Sequence, residues 1–340
     1  MRHIPMMSNI PSWRRSRRYE LIEPLNAGIC KYLTLHEFDE YNAVEREGKE
    51  KWRNEVIEIV TERDRQLWEP YHAPKEPPET LTLYHDDIQF NVKIVGKEHA
   101  PVIAFSNPLG LDLTVWDSVV TTLRPNYRLL RYDQRGHGRT SQPTRPVTCS
   151  QLADDLATIL DHLQIPNLHA LVGVSFGGLV TLEFGLRYPQ RVKMIFPCDL
   201  LASSTPHTEA QREARLALIK AKGFEYLADK SIARWFTVGW RNDPANATTL
   251  QAVKDLIIKM SPHGYVMNAH ALRDYNYLDP VKNLKVPCVM VCGEQDFAVT
   301  SMTELEKASP NGNLIIIRNC GHLPMIEQPE QFSEILQSFL

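Results

Sequence analysis

A serine between glycines, an aspartate and a histidine follow one another along this chain in the order that nucleophilic acyl chemistry requires. Gly173-Val174-Ser175-Phe176-Gly177 lies between the apolar run Leu168-His169-Ala170-Leu171-Val172 and a helix-like stretch, Gly178-Leu179-Val180-Thr181-Leu182-Glu183-Phe184. This is G-x-S-x-G in a strand–turn–helix setting. The glycines allow a strained, tight turn that lifts the serine hydroxyl to the top of a sheet. A serine hydroxyl is a poor nucleophile near neutral pH. It needs a histidine to take its proton and a carboxylate to orient that histidine. In such an elbow the chain order is serine, acid, histidine. The blander reading is an idle serine in a glycine-rich connection.

Downstream, the apolar strand Val286-Pro287-Cys288-Val289-Met290-Val291-Cys292-Gly293 ends in Glu294-Gln295-Asp296. Asp296 sits just past the strand's carboxyl end, where sites form in open α/β sheets. A second strand, Asn313 to Arg318, leads through Asn319-Cys320-Gly321 to His322. Two carboxylates compete with Asp296: Glu294 beside it, and Asp199 after the earlier strand Lys193 to Pro197. Asp296 is the preferred acid. The oxyanion needs two amide donors. One is the N–H after the nucleophile, that of Phe176; the other comes from the loop after the third strand. That loop is Asn107-Pro108-Leu109-Gly110-Leu111-Asp112. Pro108 has no N–H, so Leu109 is the expected second donor. No HExxH pattern or Cys/His cluster with metal spacing occurs, so neither a metal nor an organic cofactor is expected.

Several segments resemble the bacterial 3-oxoadipate enol-lactone hydrolases of the α/β-hydrolase superfamily. They are Ser106 to Asp112 with Trp116, Arg131-Tyr132-Asp133-Gln134-Arg135-Gly136-His137-Gly138, the elbow, Ile232-Ala233-Arg234-Trp235-Phe236-Thr237, and Gly321-His322 leading to Glu327-Gln328-Pro329-Glu330. The likeness spans roughly residues 80–340. It departs at Pro108, where that family usually has serine, and in its N-terminal region. The resemblance implies an α/β-hydrolase fold: a mostly parallel eight-stranded sheet with helices on both faces and a helical cap insertion.

At 340 residues, with 43% hydrophobic and 23% charged positions, the composition is that of an ordinary globular enzyme. A net charge of −3 makes no electrostatic case for nucleic acid. No apolar run approaches the ~20 residues that cross a bilayer. Six scattered cysteines suggest free thiols in a reducing compartment. Cys288 and Cys292 read as small buried hydrophobes, and Cys320 stands close to His322. The protein is therefore expected to be cytoplasmic and to act on a small molecule, with no nucleic-acid or membrane partner.

Residues 1–79 read as a basic tail, a helical extension and a proline-rich linker; residues 80–340 form the catalytic domain. The tail carries Arg2, Arg14, Arg15, Arg17 and Arg18 and no acid over residues 1–19, a composition shared with mitochondrial presequences. Residues 34–69 look helical, with a capping box at Thr34-Leu35-His36-Glu37 and Trp52, Val56 and Val60 in one stripe. A hairpin from Leu81 to Val95 should turn at Asp86-Asp87. Strands near 102–106, 127–132, 168–174, 192–197, 287–292 and 313–318 alternate with helical segments, the mark of a mostly parallel sheet. The stretch 204–280 lacks that alternation, has helix-like parts near 208–229 and 248–260, and reads as a cap over the site.

The expected reaction is hydrolysis of a lactone or ester through an acyl-enzyme. Arg234 and Trp235 are candidate substrate contacts, an arginine beside an aromatic suiting a carboxylate with an apolar body. Trp116 is either a pocket wall or core. Asp133, Arg135 and His137 read as structural. Two other functions fit the same residues: C–C bond hydrolysis of a diketone-type substrate, and a non-catalytic ligand-binding protein on a hydrolase body.

Overall fold

The computed structural model describes residues 80–340, apart from 86, 87 and 311. The sheet belongs to one compact unit, which among the described residues takes in 80–212 and 218–340. The expected basic tail, helical extension and linker lie outside the described residues, as does the Asp86-Asp87 turn.

Apolar, β-branched runs bounded by polar loops give eight strands: β1 Thr80–His85, β2 Ile88–Val95, β3 Val102–Ser106, β4 Arg128–Tyr132, β5 Ala170–Val174, β6 Ile195–Cys198, β7 Cys288–Gly293 and β8 Gly312–Ile317. They form one sheet in the order β1-β2-β4-β3-β5-β6-β7-β8. The β1–β2 and β2–β4 pairs are antiparallel; every other pair is parallel. Residues 192–194 do not join β6: only an isolated bridge links Leu168 to Val192. Strands β5, β6 and β7 are buried along their whole length, because helices cover both faces.

The helices are α1 Asp117–Leu123, α2 Cys149–His162, α3 Phe176–Arg187, α4 Pro206–Trp235, α5 Val238–Asn242, α6 Ala247–Lys259, α7 Pro262–Ala269, α8 Val299–Ala308, α9 Pro324–Glu327 and α10 Pro329–Phe339. Side-chain caps start several of them. Thr148 accepts from the Gln151 amide at 3.1 Å to open α2, and Thr205 forms a reciprocal capping box with Thr208 ahead of Pro206. Four helices, α4 to α7, fill the interval between β6 and β7. The first runs further than its sequence suggests, to Trp235, and bends where Gly223 takes φ +80°.

Alternation along the strands builds two cores. Ala104, Leu130, Leu171 and Met290 join Leu152, Leu156 and Ile159 of α2, Val180 and Phe184 of α3, and Met302 and Leu305 of α8. Their neighbours point the other way: Phe105 packs on Trp116 at 5.0 Å between ring centroids, and Trp116 meets Phe332 of α10 at 6.4 Å. Full burial of such side chains contributes about 1.5–3 kcal/mol each. The parallel strands therefore end at one edge, where Ser175, Asp199, Asp296 and His322 all follow.

Candidate active site

Ser175 holds the elbow in a conformation that few non-glycine residues adopt, φ 58° and ψ −114°. Such backbone costs on the order of 1–3 kcal/mol and persists only where its surroundings enforce it. Here the Ser175 amide donates to the Cys198 carbonyl at 2.8 Å, tying the turn to the end of β6. A Cβ on Gly173 would fall 2.2 Å from the Gly177 carbonyl oxygen, and one on Gly177 would fall 2.0 Å from that of Ser106. No side chain fits at either position. Helix α3 starts at once with Phe176, whose N–H belongs to the first turn and has no partner within the helix. The Ser175 hydroxyl is half-buried and caps nothing.

His322 Nδ1 lies 2.9 Å from Asp296 Oδ2, with both side chains buried. A carboxylate can only accept, so Nδ1 carries the proton and Nε2 is left as a base. The competing acids stand elsewhere. Glu294 is exposed and accepts from the Asn319 amide at 3.0 Å, closing a turn. Asp199 is fully buried and accepts the Gly293 N–H at 2.8 Å.

The loop after β3 is pinned at both ends. Asn107 donates to the Tyr132 carbonyl at 3.0 Å and accepts the Trp116 indole N–H at 2.8 Å. Trp116 is thus enclosed in the core, beneath this loop. Gly110 N–H donates to His137 Nε2 at 3.0 Å, and Leu111 N–H to the Pro108 carbonyl at 3.3 Å. The half-buried Leu109 lies between these anchored positions. Asp133 holds the next turn by accepting from the Leu113 and Arg139 amides and the Asn91 side chain at 2.7–2.9 Å. Arg135 forms a two-point pair with Asp155.

His137 has a role that its sequence position does not announce: it fixes the loop after β3 as a neutral acceptor. Burial pushes its pKa down from 6.5 to about 4. An unfolded imidazole binds its proton near 6.5, so stability from neutral His137 is complete above that pH. It drains as pH falls toward about 4, by about 1.4 kcal/mol per unit. Asp133 runs the other way. Burial raises its carboxyl to about 6, so its share is lost as pH rises through that value. Comparing wild type with His137→Gln cancels the Asp133 effect. The stability gap between them, read by denaturant unfolding, is expected to shrink from pH 6.5 to 4; a constant gap would rule out a neutral His137.

Aromatic rings enclose the other side of His322. Phe297 lies 4.6 Å away and Trp235 stacks at 6.2 Å between centroids. The Arg234 guanidinium stands 3.7 Å over the Phe297 ring. The histidine loop is also tied to the end of α4. His322 N–H donates to the Trp235 carbonyl at 2.7 Å. Buried Glu327 accepts from the Gly321 amide at 2.9 Å and the Thr237 amide at 3.1 Å, and takes the Thr237 hydroxyl as well. Phe297 carries no signal in the sequence, and Glu327 enters the sequence reading only as part of the resemblance, without a role. The Glu-x-Pro turn five residues after His322 was the available signal.

The described cysteines, five in all, are free and buried. Burial raises the Cys320 thiol well above its usual range and that of Cys288 to about 12, which makes neither a ready nucleophile. One trio among the described residues, Asp199, Cys292 and Asp296, brings donor atoms within 4.8 Å of one another. Asp296 is engaged by His322, and burial keeps the Cys292 thiol protonated, so the trio lacks the thiolate that a soft metal takes.

The sequence pattern of the alpha/beta hydrolase family matches residues 107–335, and the chain belongs to that family. It is an enzyme, a hydrolase. It is similar to 3-oxoadipate enol-lactonase 1 of Acinetobacter baylyi, at 32% identity over 254 residues, covering 74% of this chain and 92% of that one. Enol-lactonase 2 of the same organism is 27% identical, covering 76% and 96%. The solved enol-lactonase of Burkholderia xenovorans superposes with a TM-score of 0.71 at 27% identity, covering 76% of this chain and 99% of that one. Among the described residues no helix is long and apolar enough to cross a membrane.

Proposed function

We propose that this protein is a serine hydrolase that opens a lactone or cleaves an ester, with an enol-lactone as the preferred class. The observation that carries the reading is the buried Asp296–His322 pair, at the same sheet edge as the strained Ser175 elbow. His322 Nε2 takes the Ser175 proton as the hydroxyl oxygen attacks the carbonyl carbon. The Leu109 and Phe176 amides receive the oxyanion, and Asp296 stabilises the imidazolium. The carbonyl–oxygen bond of the leaving group breaks, and His322 returns the proton to it. Water, deprotonated by the same imidazole, then releases the acid from Ser175.

An enol-lactone suits this site because its enolate leaving group is stabilised by conjugation. Ring opening keeps that group tethered, so the pocket must hold both ends. The helical insertion, residues 204–280, serves as the cap that shapes this space. Arg234 offers a guanidinium for a substrate carboxylate, with Trp235 and Phe297 covering the apolar part.

A kcat/KM comparison across an enol-lactone, a saturated lactone, an aryl ester and a 1,3-diketone tests the reading. The enol-lactone is expected to rank first. A diketone cleaved faster than any lactone would move the assignment to C–C hydrolysis. Saturable binding of all four without turnover would make the protein a binding module.

A further inference from the structure

Behind His322 lies a second carboxyl that the proposed mechanism leaves unused. Asp199 follows β6 in a left-handed conformation, φ 47°, and is wholly buried. Its backbone N–H donates to the Val291 carbonyl at 3.0 Å, and its Oδ1 accepts the Gly293 N–H at 2.8 Å. These bonds fix the side chain against the end of β7. There a carboxyl oxygen of Asp199, one of Asp296 and the Cys292 sulfur lie within 4.8 Å of one another. Asp296 Oδ2 is taken by His322, whereas Asp296 Oδ1 and Asp199 Oδ2 are each buried with no donor. A single proton held between the two neighbouring carboxyl groups would satisfy both orphaned acceptors.

We propose that Asp199 is held protonated and donates its Oδ2 hydrogen to Oδ1 of Asp296, so that two carboxyl groups share one proton and one negative charge behind His322. Asp199 is then a positioning residue. It fixes the plane of the Asp296 carboxylate so that Oδ2 faces His322 Nδ1. The inference rests on the triad reading for the value of that alignment, though not for the existence of the shared proton.

The surroundings favour a neutral acid. The ionisable groups facing Asp199 are Cys198 of β6, Cys292 of β7, Cys320 of the histidine loop and Asp296 itself. All three thiols are raised by burial and carry no charge. His322 meets the pair at Asp296 Oδ2. Burial first, and the Asp296 charge second, push the Asp199 carboxyl well above the ordinary carboxylate range.

Infrared spectroscopy of protein carrying 13C-labelled aspartate, without substrate, reads the proton directly. Wild type at pH 8 is expected to show a carboxylic-acid C=O stretch that disappears in Asp199→Asn. Absence of that band, or a stoichiometric metal ion in the purified protein, overturns the proposal. The activity arm separates geometry from charge. In Asp199→Asn the amide oxygen accepts from Gly293 and the NH2 donates to Asp296, so kcat and its acid pH limb should stay close to wild type. Asp199→Ala removes the donor. It should lower kcat on the order of 10²-fold with KM little changed and shift that limb. An Asn variant as impaired as the Ala variant, or an unimpaired Ala variant, refutes the positioning role. If the Ser175 reading were wrong, the infrared band would still be present, so the two failures are distinguishable.

Discussion

Replacing Ser175 with alanine is expected to cut kcat/KM on the best lactone or ester substrate by at least ~10³-fold, without lowering stability. The two halves of that expectation have separate origins. The hydroxyl caps no amide of α3, so its loss removes no bond that holds the elbow. The turn is set instead by the Cys198 carbonyl and by the absence of side chains at Gly173 and Gly177. Alanine keeps the same strained backbone. In the proposed mechanism, what disappears is the atom that attacks the carbonyl, and His322 with both amides then has nothing to activate or receive. His322→Ala should fall to a similar level, and the double variant scarcely further, because members of such a unit act together. Steady-state kinetics with a thermal melt on the same samples decides it. Retained turnover would mean that water, directed by His322, is the nucleophile.

A single methyl group at Gly177 is expected to cost more than about 3 kcal/mol of stability and most of the activity. The added Cβ would lie 2.0 Å from the Ser106 carbonyl oxygen, 2.4 Å from its carbon and 2.8 Å from the Asn107 oxygen. All three are backbone atoms, so no side chain can swing aside. Helix α3 must move off the end of β3, and that end leads directly into the Leu109 loop. Ser175 and the Leu109 amide are displaced by the same clash. For a domain of this size the melting point should fall by roughly 6–12 °C. Urea unfolding of Gly177→Ala alongside Ser175→Ala separates the cases: Ser175→Ala should lose activity alone, Gly177→Ala both. An alanine variant as stable as wild type would show that β3 and α3 are not locked together.

Much of this was legible because parallel sheets write their strands as apolar runs and put their chemistry just beyond them. Ser175, Asp296 and His322 each follow such a run, in the order an elbow demands. Choosing among acids was harder. Asp199, Glu294 and Asp296 all sit at that edge, and only three-dimensional packing separates a partner of His322 from a turn-closing carboxylate or a buried neighbour. Boundaries slipped where packing overrode local pattern. Residues 192–194 look like strand, yet β6 starts at Ile195, and the Gly223 bend sits inside a helix that goes on to Trp235. His137 and Gly110 are 27 positions apart, so nothing local links them. The meeting of Asp199 with Asp296 likewise depends on the pairing of β6 with β7.

The ties from Glu327 to Thr237 and from His322 to the Trp235 carbonyl carry a lesson for engineering. In the proposed mechanism, the segment that shapes the pocket is stitched to the residue that shuttles protons. Transplanting those helices from a homologue, or loosening them by directed evolution, would disturb the reaction chemistry together with the preference. Libraries aimed at new selectivity should leave the Trp235–Thr237 seam intact and vary positions upstream of it.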